Sequence, residues 1–297
     1  MAKMFLTLVF LCIGIAINAK TLIHAGYLFN AENGTIEPQM SIVIVGDRVA
    51  NVLEGYVNPE PDDIYIDLSG YYILPGLIDM HVHLSNESSR NAYLERVTWN
   101  AADYAIRATK NAENTLLAGF TTVRNWGDSD TVTISLRNAI DNGIVIGPRI
   151  FSSGKTISST GGHGDSSNSL NQRLTDDLGP KDGVMNGEQE AMESVRFRYK
   201  ENADLIKFTA TGGVLSNAKD GQNPQMTINE MKAIVSTAKD YGFKVAAHAH
   251  GAEGIKRAVL AGVDSIEHGT LMDNEGAALM RDNGCLLYTS DAADDTT

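Results

Sequence analysis

From Tyr72 onward the chain alternates between short apolar runs and longer amphipathic stretches, and this alternation limits the fold more than any other feature. Apolar runs at residues 73–80, 121–125, 149–153, 205–210, 244–248 and 265–267 read as strands. Helical periodicity fills 97–117, 131–142, 187–202, 227–241, 251–261 and 274–283. Thr227-Ile228-Asn229-Glu230 is a capping box, in which a hydroxyl and a carboxylate each satisfy an N–H that the first helical turn leaves unpaired. Gly119, Gly143, Gly242, Gly262 and Gly284 stand where those helices must end. Repeated strand–helix units bury both faces of their strands when the strands run parallel with the helices outside. The predicted class is therefore α/β, a (β/α)8 TIM-type barrel. About six units are legible, fewer than a closed barrel needs. An open, doubly wound sheet is the competing arrangement.

Before the barrel, residues 20–72 read as part of a small β-sandwich, an antiparallel layer with turns at Asn33-Gly34 and Gly46-Asp47-Arg48. His24 in this layer reads as structural. Residues 1–19 read as a signal peptide: Lys3 is followed by an apolar run over 4–17 and the small residue Ala19. The run is short for a membrane span, so cleavage and export to the periplasm or outside are expected over an uncleaved anchor, with no stable membrane insertion. The net charge of −13 argues against a nucleic-acid partner, which would require a basic surface. A homo-oligomer is left open. Cys12 and Cys285 cannot staple the mature domain to itself. The barrel is bounded at 73–284, because residues 285–297 resemble translated sequencing-adapter DNA, a non-native tail, with the native protein expected to continue past Gly284.

The residues that carry chemistry fall at predicted strand ends. His81 and His83 lie two apart in Leu77-Ile78-Asp79-Met80-His81-Val82-His83, so on a strand they face one side. Lys207 sits inside an apolar strand, a costly place for an ammonium unless it is neutralised or used. His248 and His268 end the next two strands. In a parallel barrel these five positions share the face where active sites form. Neutral imidazoles suit zinc and related ions. A lysine joins such a centre as a ligand only after its amine reacts with carbon dioxide to give a carbamate. The polar stretch 156–185 follows the third strand at the same mouth and carries Gly161-Gly162-His163-Gly164. His163 and His250 are candidate substrate contacts. Arg124 reads mainly as a stabilising partner for a carboxylate.

With these motifs together, the chain resembles the amidohydrolase superfamily. Ile206-Lys207-Phe208, Gly212-Gly213-Val214, Ala247-His248-Ala249-His250-Gly251 and Ile266-Glu267-His268-Gly269 narrow the likeness to the imidazolonepropionase-like branch, which includes exported Xaa-Pro and Xaa-Arg zinc dipeptidases. The resemblance implies two divalent ions, expected to be zinc. His81 and His83 would hold one, His248 and His268 the other, and carboxylated Lys207 would bridge them. It also implies a catalytic aspartate after the eighth strand, and no residue here matches it; Asp291 follows His268 too soon, so the catalytic base stays unknown and the chain as written is expected to be inactive. The implied function is metal-dependent hydrolysis of an amide bond, expected in a dipeptide, by metal-activated hydroxide. Alternatives are a hydrolase of cyclic amides, lactones or imidazolones, and a catalytically dead metal-binding protein.

Overall fold

The computed structural model describes residues 20–86, 90–128, 130–214, 216 and 219–289. The expected signal segment, and the expected tail from residue 290, lie outside the described residues. The chain divides into two compact units, Met1–Pro75 and Gly76–Thr297.

The first unit is a four-stranded sheet of β1 (Thr21–Asn30), β2 (Thr35–Val45), β3 (Arg48–Glu54) and β4 (Ile64–Ile73), in the order β3-β2-β1-β4. Ala25, Met40 and Ile42 form its buried centre. The Asn33-Gly34 turn joins β1 and β2 as an antiparallel hairpin. The expected antiparallel layer is nevertheless mixed, because β4 pairs with β1 in parallel, Thr21 against Ile64 and Leu28 against Ile73. The connection over 55–63 returns the chain to the starting end of β1, and a parallel pair requires such a crossover. His24 is structural, with Nδ1 2.9 Å from the Tyr65 hydroxyl and Nε2 2.8 Å from the Val57 carbonyl.

The second unit alternates strands and helices. Its elements are β5 (Leu77–Val82), α1 (Ala92–Thr98), α2 (Ala101–Leu117), β6 (Phe120–Asn125), α3 (Val132–Asp141), β7 (Arg149–Ser152), β8 (Ser158–Ser159), β9 (Val184–Met185), α4 (Gly187–Lys200), β10 (Ile206–Thr209), α5 (Ile228–Asp240), β11 (Val245–Gly251), α6 (Ala252–Ala261), β12 (Ser265–Leu271), α7 (Asn274–Asn283) and β13 (Leu286–Tyr288). Three details differ from expectation. The first barrel strand begins at Leu77, because Ile73 belongs to β4 and Pro75-Gly76 separates the two strands. The single helix expected over 97–117 is two helices: Asn100 is extended, and its N–H is taken by the Asp103 carboxylate at 2.9 Å, which starts a new helix. Regular structure also continues beyond Gly284. There Gly284 closes α7 at φ +65°, and Leu286–Tyr288 pairs in parallel with β12 as a further strand.

The parallel strands form two groups, β5-β6-β7 and β10-β11-β12-β13. Asp204 joins the groups: its N–H donates to the Ser152 carbonyl, and its carboxylate accepts the Ser152 N–H, each at 2.8 Å. Ile157 continues the seam by donating to the Lys207 carbonyl at 2.8 Å and accepting from Thr209 at 3.0 Å. Seven parallel strands thus follow one another in chain order, which is the α/β barrel pattern. Ile206, Phe208, Ala247, Ala249 and Ile266 bury their side chains against α4, α5 and α6 in the largest apolar cluster. That packing makes the strands rigid supports for the side chains at their ends.

Candidate metal centre

The predicted residues converge. His81 lies buried one residue before the end of β5, and His83 follows just beyond the strand as an exposed residue. Their ring centroids are 5.4 Å apart. The His268 ring lies 4.8 Å from His81 and 4.7 Å from His248. The ring of His250, on the same face of β11 as His248, lies 4.7 Å from His248 and 4.8 Å from His268. One ligating atom from each of His248, His250 and His268 falls within 4.8 Å of the others. His250 therefore sits inside the histidine cluster.

His163 reaches the cluster from the polar stretch after β7. Its ring stacks on His248 with centroids 4.2 Å apart. Its N–H donates to the Gln225 side chain at 2.8 Å, and its Nδ1 lies 2.6 Å from Ser216 Oγ. Gly213 makes this approach possible. A Cβ there would stand 2.8 Å from His163 Cε1 and 3.0 Å from His248 Nε2, closer than side chains tolerate.

Lys207 is 3% exposed and lies over the Trp126 ring, with Nζ 4.8 Å from the centroid. Burial lowers its amine to about 8, against the opposing pull of Glu267. Burial likewise lowers His81 to about 2, His268 to about 2 and His163 to about 4, with the charge of Lys207 adding to the effect in each. His248 is held well below the ordinary imidazole range for the same first reason. These rings are neutral at physiological pH, the state in which imidazole donates a lone pair to a cation.

Sequence reasoning missed two members of the site. Trp126 is fully buried, donates to the Met80 carbonyl at 2.9 Å, and has both the Lys207 amine and the Arg124 guanidinium over its ring. Glu267 is fully buried and binds both Arg124 and His81. Arg124 thus meets the carboxylate partner expected of it. Strand alternation sends Glu267 and His268 to opposite faces, yet both reach His81. The break is at His268, whose φ of +75° lies in the left-handed region that side chains other than glycine seldom occupy. No pattern in the sequence marks that backbone turn.

The donor chemistry fits divalent cations. Four of the rings are held neutral, the lysine is partly deprotonated, and His268 Nδ1 is buried with no hydrogen-bond partner. A buried, unpaired nitrogen is costly unless something occupies it.

Fold and site together define a parallel-barrel protein with a histidine-rich centre at the carboxyl ends of its strands. The amidohydrolase family model matches residues 72–296, and the chain belongs to that family. It is similar to a solved Xaa-Pro dipeptidase with bound methionine in the active site, at 50% identity and TM-score 0.87, over 91% of this chain and 66% of that one. It is also similar to a prolidase complexed with N-methylphosphonate-L-proline, at 34% identity and TM-score 0.81, over 92% of this chain and 66% of that one. Ochratoxinase of Aspergillus niger is 27% identical over 289 residues, 91% of this chain and 58% of that protein. The chain therefore spans somewhat under two thirds of the length of these relatives.

Proposed function

We propose that the protein is a metal-dependent amidohydrolase that cleaves the amide bond of a dipeptide. The observation that carries this reading is the convergence of His81, His83, His248 and His268 with buried Lys207 at the strand ends of one barrel. His81 and His83 would hold one divalent ion and His248 and His268 a second, zinc being the proposed metal. When bound, such ions activate water and polarise the scissile carbonyl.

The chain's own residues prepare the site. Lys207 at about 8 carries a useful fraction of neutral amine near neutral pH. That amine attacks the carbon of carbon dioxide and loses a proton, which turns a buried cation into an anionic oxygen donor able to bridge two ions. The cost of burying the ammonium is removed in the same step. His163, oriented by Ser216 and Gln225, stands beside His248 where it would contact the substrate. His250 would contact the substrate from within the cluster, and a ligand role for it is the competing assignment. The dipeptide substrate is supported by similarity to a Xaa-Pro dipeptidase and a prolidase. The apolar N-terminal segment supports export as the place of action.

The test joins metal content to turnover. Protein loaded with zinc, manganese or cobalt is expected to hold two equivalents, and Lys207→Ala is expected to hold one or none. Because the chain spans only part of its relatives, turnover is measured on the product of the whole gene against a dipeptide panel that includes Xaa-Pro. Hydrolysis that a chelator abolishes is expected. A protein that binds no divalent metal, or that leaves every dipeptide intact, overturns the proposal. Two equivalents retained by Lys207→Ala removes the carbamate bridge from it.

A further inference from the structure

Both oxygens of the Glu267 carboxylate are engaged. Oε1 accepts from Arg124 Nη2 at 2.7 Å and from Ser265 Oγ at 2.7 Å. Oε2 lies 3.0 Å from His81 Nδ1. Arg124 is itself fixed, donating through Nε to the Met80 carbonyl at 2.7 Å with its guanidinium 4.2 Å from the Trp126 ring. A guanidinium only donates, and an ionised carboxylate only accepts. The hydrogen between Glu267 and His81 therefore sits on His81 Nδ1.

We infer that Glu267 is a positioning residue: seated on Arg124 and Ser265, it holds His81 in the Nδ1–H tautomer and so leaves Nε2 as the lone-pair nitrogen of that ring. The use of the lone pair rests on the metal-binding reading above; the tautomer does not. A carboxylate behind a histidine also fixes the ring's rotation and raises its basicity as a donor. Here the carboxylate comes from β12, the strand that also carries His268, so one strand would supply a ligand and orient another on β5.

The geometry makes Glu267→Gln informative, because the two faces of the side chain are not equivalent. The glutamine oxygen must remain with Arg124, which can only donate. The amide NH2 then faces His81 Nδ1, which has to accept. The ring shifts its hydrogen to Nε2 and loses the lone pair, with almost no change in shape.

The experiment is long-range proton–nitrogen correlation NMR on metal-stripped protein labelled with 15N-histidine, the His81 signals being identified by their loss in His81→Asn. The native chain is expected to show His81 protonated at Nδ1, and Glu267→Gln to show it protonated at Nε2. Cobalt titration of the same samples is expected to show affinity at one site reduced roughly 10- to 100-fold in the variant. A native His81 protonated at Nε2, or an unchanged tautomer in Glu267→Gln, overturns the inference. An inverted tautomer in a protein whose native form binds no cobalt upholds the positioning role and overturns the metal-binding reading alone. If Glu267→Gln does not fold, Glu267→Asp replaces it. The shorter carboxylate cannot span both Arg124 and His81, so mixed tautomers are expected, and a single Nδ1–H form overturns the inference.

Discussion

Gly213 has no side chain, and the rings of His163 and His248 leave no room for one. Gly213→Ala must push those rings apart, and overpacking of this kind costs about 1–3 kcal/mol. The expected outcome is cobalt affinity weakened about tenfold or more, read by titration. Gly221→Ala in the same loop is the control, since its added Cβ would find its nearest neighbour at an ordinary 3.4 Å, and its affinity should be unchanged. At this scale His81, His248, His268 and Lys207 were legible because each is a polar residue placed in an otherwise apolar strand, and His163 because glycines flank it in a polar loop. Glu267 and Trp126 were not. The role of Glu267 depends on His268 taking a left-handed backbone, and that of Trp126 on two cations from different strands reaching the same ring. Neither relation is local in sequence.

Among the elements, α5 has the start that its sequence specifies. Glu230 N–H donates to Thr227 Oγ1 at 3.3 Å, and the Glu230 carboxylate accepts the Thr227 N–H at 2.7 Å. The other oxygen of Glu230 accepts the Gly187 N–H at 2.7 Å, so the same box also ties down the start of α4. Thr227→Ala should lower stability by about 1 kcal/mol, measured by urea unfolding with the slope unchanged. Helix ends were readable where glycine supplies a left-handed residue, as at Gly262 and Gly284. The break at Asn100 was not readable, because the apolar period runs through it and only the Asp103 contact shows that the helix restarts. The parallel pairing of β4 is not readable for a related reason: strand patterning gives a period, and direction depends on where a connection returns.

For the whole molecule, the concentration of neutral imidazoles has a price in acid. Burial holds His81, His163, His248 and His268 far below 6.5, while the unfolded chain protonates them near that value. Above 6.5 both states are neutral and nothing is lost. Below it the unfolded state binds more protons, so stability falls as pH falls. By pH 5.5 each ring removes up to about 1.4 kcal/mol, and the four together up to roughly 5–6 kcal/mol, comparable to the whole stability of many domains. Metal-stripped protein should therefore melt at much lower temperature at pH 5.5 than at pH 7.5, and zinc should restore most of the difference. A melting temperature that stays level across that interval in the stripped protein would contradict the buried, neutral state of these rings. The barrel itself was legible from the alternation of strand and helix patterns, which needs no knowledge of any single contact.

The left-handed backbone at His268 also shapes the mutational paths open to this protein. A single base change can turn a histidine codon into one for Tyr, Asn, Asp, Leu, Pro, Arg or Gln. Of these, Asn and Asp are the residues best suited to positive φ. Asp also ligates cations. Under the proposed metal-binding role, one nucleotide change thus exchanges a neutral nitrogen donor for an anionic oxygen donor at a left-handed position within β12 that Asp tolerates. Most other first steps at that codon oppose the backbone before they touch the chemistry, so selection for folding alone already narrows which side chains evolution can sample at position 268.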